Sequence, residues 1–352
     1  MISLDNKTVI LSKINQIGDV IMTLPAATEL KKRYPSCKIL FLARLSKTKD
    51  LLEYASDIDG ILNWDEIEKM PDQKAVQYIK ALKADAVIHF QPTKAIARLM
   101  AKAKVKIRVG TARRLYHYLY CNYWVNVKRT GANLHETELD MMLLRPFTRK
   151  NYYSKEEIIE LRHFKLQKIE EKIKPFLKDD RFNLIIHPKT RGEHIEWSAS
   201  NYAELIKQLP KENFNILITG SQKEGQKIYQ ELIEPVKEKV TDLTGKTTLK
   251  ELINLISFSD GLIAGSTGPI HIAAAFDINT LGLYAPIKPF HATRWGPVGK
   301  HAKSLSIKKD CHACRDGSRC LCVNQIKISS VKSAVLAWQK NKEKSLGESV
   351  DK

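Results

Sequence analysis

Short apolar strand-like runs alternate with helix-like segments twice along this chain of 352 residues, and that alternation restricts its fold more than anything else in the sequence. In the first series Thr8–Ser12, Lys38–Ala43, Ile61–Trp64, Ala86–Phe90 and Arg108–Thr111 read as strands. Helix-like segments near 19–33, 47–56, 72–83 and 92–103 separate them. The second series opens at Phe182–His187 and continues with a helix from about Ser200, a strand at Phe214–Gly220 and a helix from about Glu224. It goes on through Val240–Leu243, a helix near 248–258, a strand at Gly261–Ser266, a helix opened by Pro269 and a strand at Thr280–Tyr284. Strands that alternate with helices build a parallel sheet covered by helices. Two Rossmann-like halves are therefore predicted, and ligands are expected at the carboxyl ends of the strands, in a cleft between them. The charged stretch from Lys150 to Lys174 reads as surface helices and a linker. Domains are thus expected at 1–165 and 175–328, followed by a last helix at 329–342 and a frayed polar tail from 343 to 352.

Composition narrows the class. Hydrophobic residues at 43% and charged residues at 28% suit a soluble protein with real cores, and no run of 18 apolar residues could cross a bilayer as a helix. The first seven residues have no basic, apolar leader pattern, so the chain is expected to stay in the cytosol. A formal net charge of +19 calls for a partner of opposite sign: nucleic acid, an anionic membrane or a phosphorylated substrate. Arg98, Lys102, Lys104, Lys106, Arg108, Arg113 and Arg114 occur together without an acid, and Tyr116, Tyr118, Tyr120, Tyr123 and Trp124 follow. That cluster reads either as a solvated helix face beside a buried strand or as a binding patch. No zinc finger, RNA-recognition signature or basic zipper is present, so nucleic acid is not expected.

Two strand-to-helix turns carry the chemistry. Gly265-Ser266-Thr267-Gly268-Pro269-Ile270-His271 follows an apolar run and opens another. Glycine admits close backbone approach, Pro269 suits the first helical turn, and the free N–H groups with the helix dipole favour an anion. The alternative is a plain helix cap through Ser266 or Thr267. In Ser12-Lys13-Ile14-Asn15-Gln16-Ile17-Gly18-Asp19, the carboxylate of Asp19 sits at the end of the first strand. It could take a proton from a substrate hydroxyl, or it could simply stabilise a helix start. The turn lacks the dinucleotide G-x-G-x-x-G fingerprint. Downstream, Cys311, Cys314, Cys320 and Cys322 could close a zinc site or remain reduced structural thiols.

Ile17-Gly18-Asp19-Val20 with Thr23-Leu24-Pro25-Ala26 resembles the opening motif of glycosyltransferase family 9, the ADP-heptose:lipopolysaccharide heptosyltransferases. Ser266–Ala275, Tyr284-Ala285-Pro286, Trp295-Gly296-Pro297 and the cysteine cluster are similar to later family segments, in the same order. The resemblance implies an α/β chain of GT-B fold, two Rossmann-like domains facing a central cleft, with the last helix crossing back to the first domain. It implies an inverting, metal-independent transfer of heptose from ADP-heptose to the inner core of lipopolysaccharide, with no cofactor required. Asp19 then aligns with the catalytic base, and Thr267, Gly268 and His271 with residues around the donor diphosphate, Ser266 standing where some members carry an acid. Lys189 and Thr190, with Arg191 or His194, lie in the loop that holds donor phosphate, Ile195 replacing a common lysine. Gln222 or Glu224 would meet the ribose, and Lys13, Arg113 and Arg114 the acceptor. The expected partners are the nucleotide-sugar donor, a lipid-linked phosphorylated saccharide and the anionic inner leaflet of the inner membrane, where a cytoplasmic protein would bind peripherally. The competing functions are a GT-B transferase or epimerase for another nucleotide sugar, and a non-catalytic basic protein that binds nucleic acid or membrane.

Overall fold

The computed structural model describes residues 2–161, 164–190, 195–286, 291–307 and 321–350. It divides into two compact units, Met1–Lys165 and Leu166–Lys352. The first holds strands β1 (Thr8–Ser12), β2 (Lys38–Ala43), β3 (Gly60–Asn63), β4 (Ala86–His89), β5 (Ile107–Thr111) and β6 (Tyr123–Val125). Their order across the sheet is β3-β2-β1-β4-β5-β6, and every pairing is parallel. The second holds β7 (Phe182–His187), β8 (Phe214–Ile218), β9 (Val240–Asp242), β10 (Gly261–Ala264), β11 (Asn279–Leu283) and β12 (Ala302–Leu305). Their order is β12-β11-β10-β7-β8-β9, again all parallel. Counted from its own first strand, each sheet has the doubly wound order 3-2-1-4-5-6.

Burial explains which strands were legible. Helices cover both faces of a parallel sheet, so its central strands are continuous apolar runs. The four residues of β4, the six of β7 and the four of β10 are all buried. The edge strands β6 and β12 are largely exposed and carry no such run, and both fall outside the sequence expectation. The helix expected near 19–33 is two helices, Ile17–Thr23 and Pro25–Arg33. Proline cannot donate within a helix but is well placed at its first position, so Pro25 opens the second helix.

One face of the first sheet packs Ile10, Leu40, Leu42 and Val87 against Ile96, Leu99 and Met100 of the Lys94–Lys102 helix. In the second unit Phe182, Leu184, Ile186 and Ile216 meet Trp197, Tyr202 and Leu205. The last helix, Ile328–Val350, adds Val331, Val335 and Trp338 to that core, and the Trp338 ring stacks on Phe182 with centroids 6.5 Å apart. Each such side chain contributes roughly 1.5–3 kcal/mol when fully buried. The helix runs on to Val350, past the end at 342 expected from the sequence. Lys342 donates to Asp260 at 2.8 Å and to the Arg181 carbonyl at 3.0 Å, which ties down the start of that stretch.

Candidate active site

β1 ends in Ser12, and the chain turns through Lys13–Gln16 into the Ile17–Thr23 helix, with Asp19 in its first turn. Asp19 is half-buried. Burial raises its carboxyl pKa above the ordinary value; the positive charge of Lys13 opposes that, the negative charge of Asp140 adds to it, and the Gln16 backbone N–H and Arg129 oppose it more weakly. A carboxylate with raised proton affinity is a stronger base at working pH. The bond to Gln16 means that Asp19 also supports its helix start, the structural role the sequence allowed it.

The neighbours that tune Asp19 come from far along the chain. Lys13 is 2% exposed, and its ammonium lies 3.0 Å from Asp140 Oδ2 and 3.8 Å from Glu136 Oε1. Arg129 pairs with Glu136, with Asp140 Oδ1 at 2.5 Å, and donates to the Phe90 carbonyl at 2.9 Å. Thr23 Oγ1 donates to Asp140 Oδ2 at 2.6 Å and lies 3.0 Å from the Asp19 carbonyl oxygen. Two cations therefore match two buried carboxylates beneath the turn, and Asp19 is a third carboxylate beside them. Lys13 and Arg129 hold Asp140 well below the usual carboxylate range despite its burial. The sequence reading gave Lys13 to the acceptor, whereas the structure places its ammonium inside this cluster. It met Thr23 only as part of the family motif and missed Arg129, Glu136 and Asp140 altogether. The signal for the last two was present: Glu136, Glu138 and Asp140 stand in a helix whose Leu139 and Met141 are apolar, an odd place for three acids unless they are paired. Arg113 and Arg114 lie exposed after β5, and Arg113 Nε donates to Asn126 Oδ1 at 2.7 Å.

In the second unit the register Ala264↔His187 sets the ends of β10 and β7 side by side. Loops 265–267 and 188–190 are thereby neighbours at the carboxyl edge, and a Cβ on Gly265 would stand 3.2 Å from Thr190 Cγ2. Gly265 thus lets the Thr190 loop close against the Gly268–Ala275 helix start. Thr267 is the N-cap, but its side chain makes no capping hydrogen bond. The hydroxyl therefore does not serve the plain cap that the sequence allowed. Ser266, Thr267 and Gly268 are half-buried, while His271 is 5% exposed in the same helix. Ser266 hydrogen-bonds the buried Tyr284.

Glu196 organises the neighbouring loop. It pairs with Lys189 and accepts from the Thr190 backbone N–H at 2.6 Å and the Thr190 hydroxyl at 3.0 Å. Glu224 is part of a capping box, accepting from Ser221 N and Ser221 Oγ at 2.8 Å each, and Gln222 is exposed at the first position of that helix. Arg191, His194, Cys311, Cys314 and Cys320 lie outside the described residues; Cys322 is buried. Among the described residues no group of three metal-binding side chains occurs, and no helix is long and apolar enough to cross a membrane.

Comparison with known proteins bears on family and fold. The sequence profile of Glycosyltransferase family 9 (heptosyltransferase) matches residues 73–323. The Lipooligosaccharide heptosyltransferase 2 of Campylobacter jejuni is 24% identical over 307 residues, 85% of this chain and 87% of its own length. The solved structure of the Escherichia coli ADP-heptose lps heptosyltransferase II is 20% identical, with a TM-score of 0.73 over 96% of this chain and 99% of that one. A glycosyl transferase family 9 structure from Veillonella parvula is 19% identical, with a TM-score of 0.76 over 97% and 99%. The fold is GT-B.

Proposed function

Since the chain belongs to glycosyltransferase family 9 (heptosyltransferase) and is a glycosyltransferase, we propose that it moves heptose from ADP-heptose to the inner core of lipopolysaccharide, with inversion at the anomeric carbon. The observation that carries this reading is Asp19, a carboxylate of raised proton affinity at the end of β1, set on a buried charge cluster. In the reaction Asp19 takes the proton of the acceptor hydroxyl as its oxygen attacks the anomeric carbon. Lys13 and Arg129 balance Asp140 and Glu136, so the opposing charges of the cluster leave burial as the largest influence on the Asp19 carboxyl.

The leaving group is ADP. Its growing charge falls on the first-turn N–H groups at Gly268, on the Thr267 hydroxyl and on Lys189, and this set needs no divalent cation. Thr190, Ser266 and His271 complete the diphosphate site, Gln222 and Glu224 lie toward the ribose, and Arg113 and Arg114 meet acceptor phosphate. The lipid-linked acceptor places the reaction at the anionic inner leaflet, with the protein on the cytoplasmic side. The ADP-heptose named for the Escherichia coli structure supports the donor assignment.

The test is a donor panel. Purified protein, an acyl-free phosphorylated core oligosaccharide and ADP-heptose, with EDTA present, are expected to give a product heavier by one heptose. UDP- and GDP-sugars are expected to give neither product nor a thermal shift. Transfer from one of those donors instead, or none from ADP-heptose, overturns the assignment.

A further inference from the structure

No aspartate or glutamate occurs between Asp85 and Glu136, whereas ten lysines and arginines do. This acid-free stretch builds the outer end of the first sheet, from the Lys94–Lys102 helix through β5 and the Leu115–Tyr120 helix to edge strand β6. At its surface stands an apolar patch that nothing in the catalytic account uses. Leu115 is 88% exposed and Leu119 76% exposed, one helical turn apart and so on the same side of the helix. Beside them Tyr118 is stacked on Trp124, with centroids 5.5 Å apart, and both rings are about half exposed.

The polar ends of these two rings are turned inward. The Tyr118 hydroxyl donates to the Ala112 carbonyl at 3.0 Å, and Trp124 Nε1 donates to the His117 carbonyl at 2.9 Å. Water therefore meets mostly ring faces and leucine methyl groups. Scattered exposed leucines are ordinary, but a contiguous leucine–aromatic patch on a segment without acids of its own marks an interaction surface. Lys104, Lys106, Arg113, Arg114 and Lys128 are exposed cations of that segment, while Arg98 and Lys102 pair with Asp72.

We propose that the Leu115–Tyr120 helix and Trp124 form a membrane-docking face that inserts shallowly into an anionic lipid leaflet. The two leucines enter the acyl boundary, the aromatic pair lies at the headgroup level, and the surrounding lysines and arginines meet lipid phosphate. Charge selects this occupant. Each basic residue near an anionic leaflet adds roughly fivefold to partitioning. A soluble protein partner would need its own acidic, apolar complement, whereas an anionic bilayer supplies both features together. This face rests on the reading that the acceptor is lipid-linked, and it gives that reading a defined orientation of the first unit.

The experiment is vesicle co-sedimentation of the full chain and of L115S/L119S. Phosphatidylethanolamine–phosphatidylglycerol vesicles are compared with phosphatidylcholine alone, at low and high NaCl. The parent is expected to prefer the anionic vesicles in a salt-sensitive way, and the double substitution to weaken that binding roughly tenfold or more. Unchanged binding of the variant, or equal binding of the parent to neutral vesicles, overturns the proposal. So does sedimentation showing that the substitution only splits a dimer of this chain. Circular dichroism checks that the variant is folded. Transfer to the acyl-free acceptor is expected to be equal in parent and variant; its absence in both would count against the proposed reaction and leave the docking face standing.

Discussion

The two units share one strand order and differ at the edge where that order reverses. In the first unit, the turn after β1 rests on Lys13, Arg129, Glu136 and Asp140, buried charges drawn from distant segments. In the second, the turn after β10 offers Ser266, Thr267 and Gly268 at a helix start, and Glu196 of the adjoining loop is occupied by Lys189 and Thr190. In the proposed reaction the first edge moves a proton and the second receives an anion. The same topology therefore fixes where the chemistry sits, and the side chains at the turn decide what it is.

The largest expected effect attacks the first edge. Asp140→Ala leaves Lys13 and Arg129 short of a buried partner and is expected to cost roughly 3–5 kcal/mol in denaturant unfolding. Its milder form, Asp140→Asn, sharpens the comparison through pH. Asp140 raises the Asp19 pKa, so its neutralisation should lower that pKa and move the acid limb of kcat/KM to lower pH. Asp140 itself sits below the ordinary carboxylate value, so its stabilising contribution is complete above about pH 4 and is lost as pH falls through its native value. Asp140→Asn should remove that part of the acid slope. An unmoved acid limb would mean that the cluster does not tune Asp19.

A smaller effect tests the second edge. Thr267 makes no capping hydrogen bond, so Thr267→Val should leave the melting temperature nearly unchanged while weakening ADP binding by roughly tenfold in calorimetry. A stability loss with unchanged ADP affinity would return the residue to a structural role. Smallest is Glu196→Gln, which keeps an acceptor for Thr190 but frees the Lys189 charge. ADP affinity should rise by about two- to fivefold, and less at high salt. Weaker ADP binding would show instead that Glu196 orients the loop through its charge.

Much of this was legible in sequence because central strands such as β1, β7 and β10 are continuous apolar runs, and because each turn begins where such a run stops. What was not legible has two physical causes. β6 and β12 are short edge strands that are largely exposed, whereas the edge strands β3 and β9 are less exposed and were found from the sequence. The cluster under Asp19 joins Lys13 to Asp140, which is 127 residues away, and no local pattern reports such a pairing. Lys13 therefore looked like a loop cation waiting for a ligand. Glu224 shows the opposite case, since the Ser221–Glu224 spacing already announces the capping box in which it is found.

The division of labour between the two edges is tested most directly by Asp19→Asn, read by heptose transfer and ADP binding on the same preparation. Burial raises the Asp19 pKa, so its ionisation costs native stability as pH rises from the ordinary carboxylate value through the native one. The amide should therefore be at least as stable as the parent at neutral pH. Transfer is expected to fall by roughly a hundredfold to ten-thousandfold, with ADP affinity unchanged. Transfer near the parent rate, or a matching loss of ADP affinity, would contradict the assignment of proton transfer to the first edge and anion binding to the second.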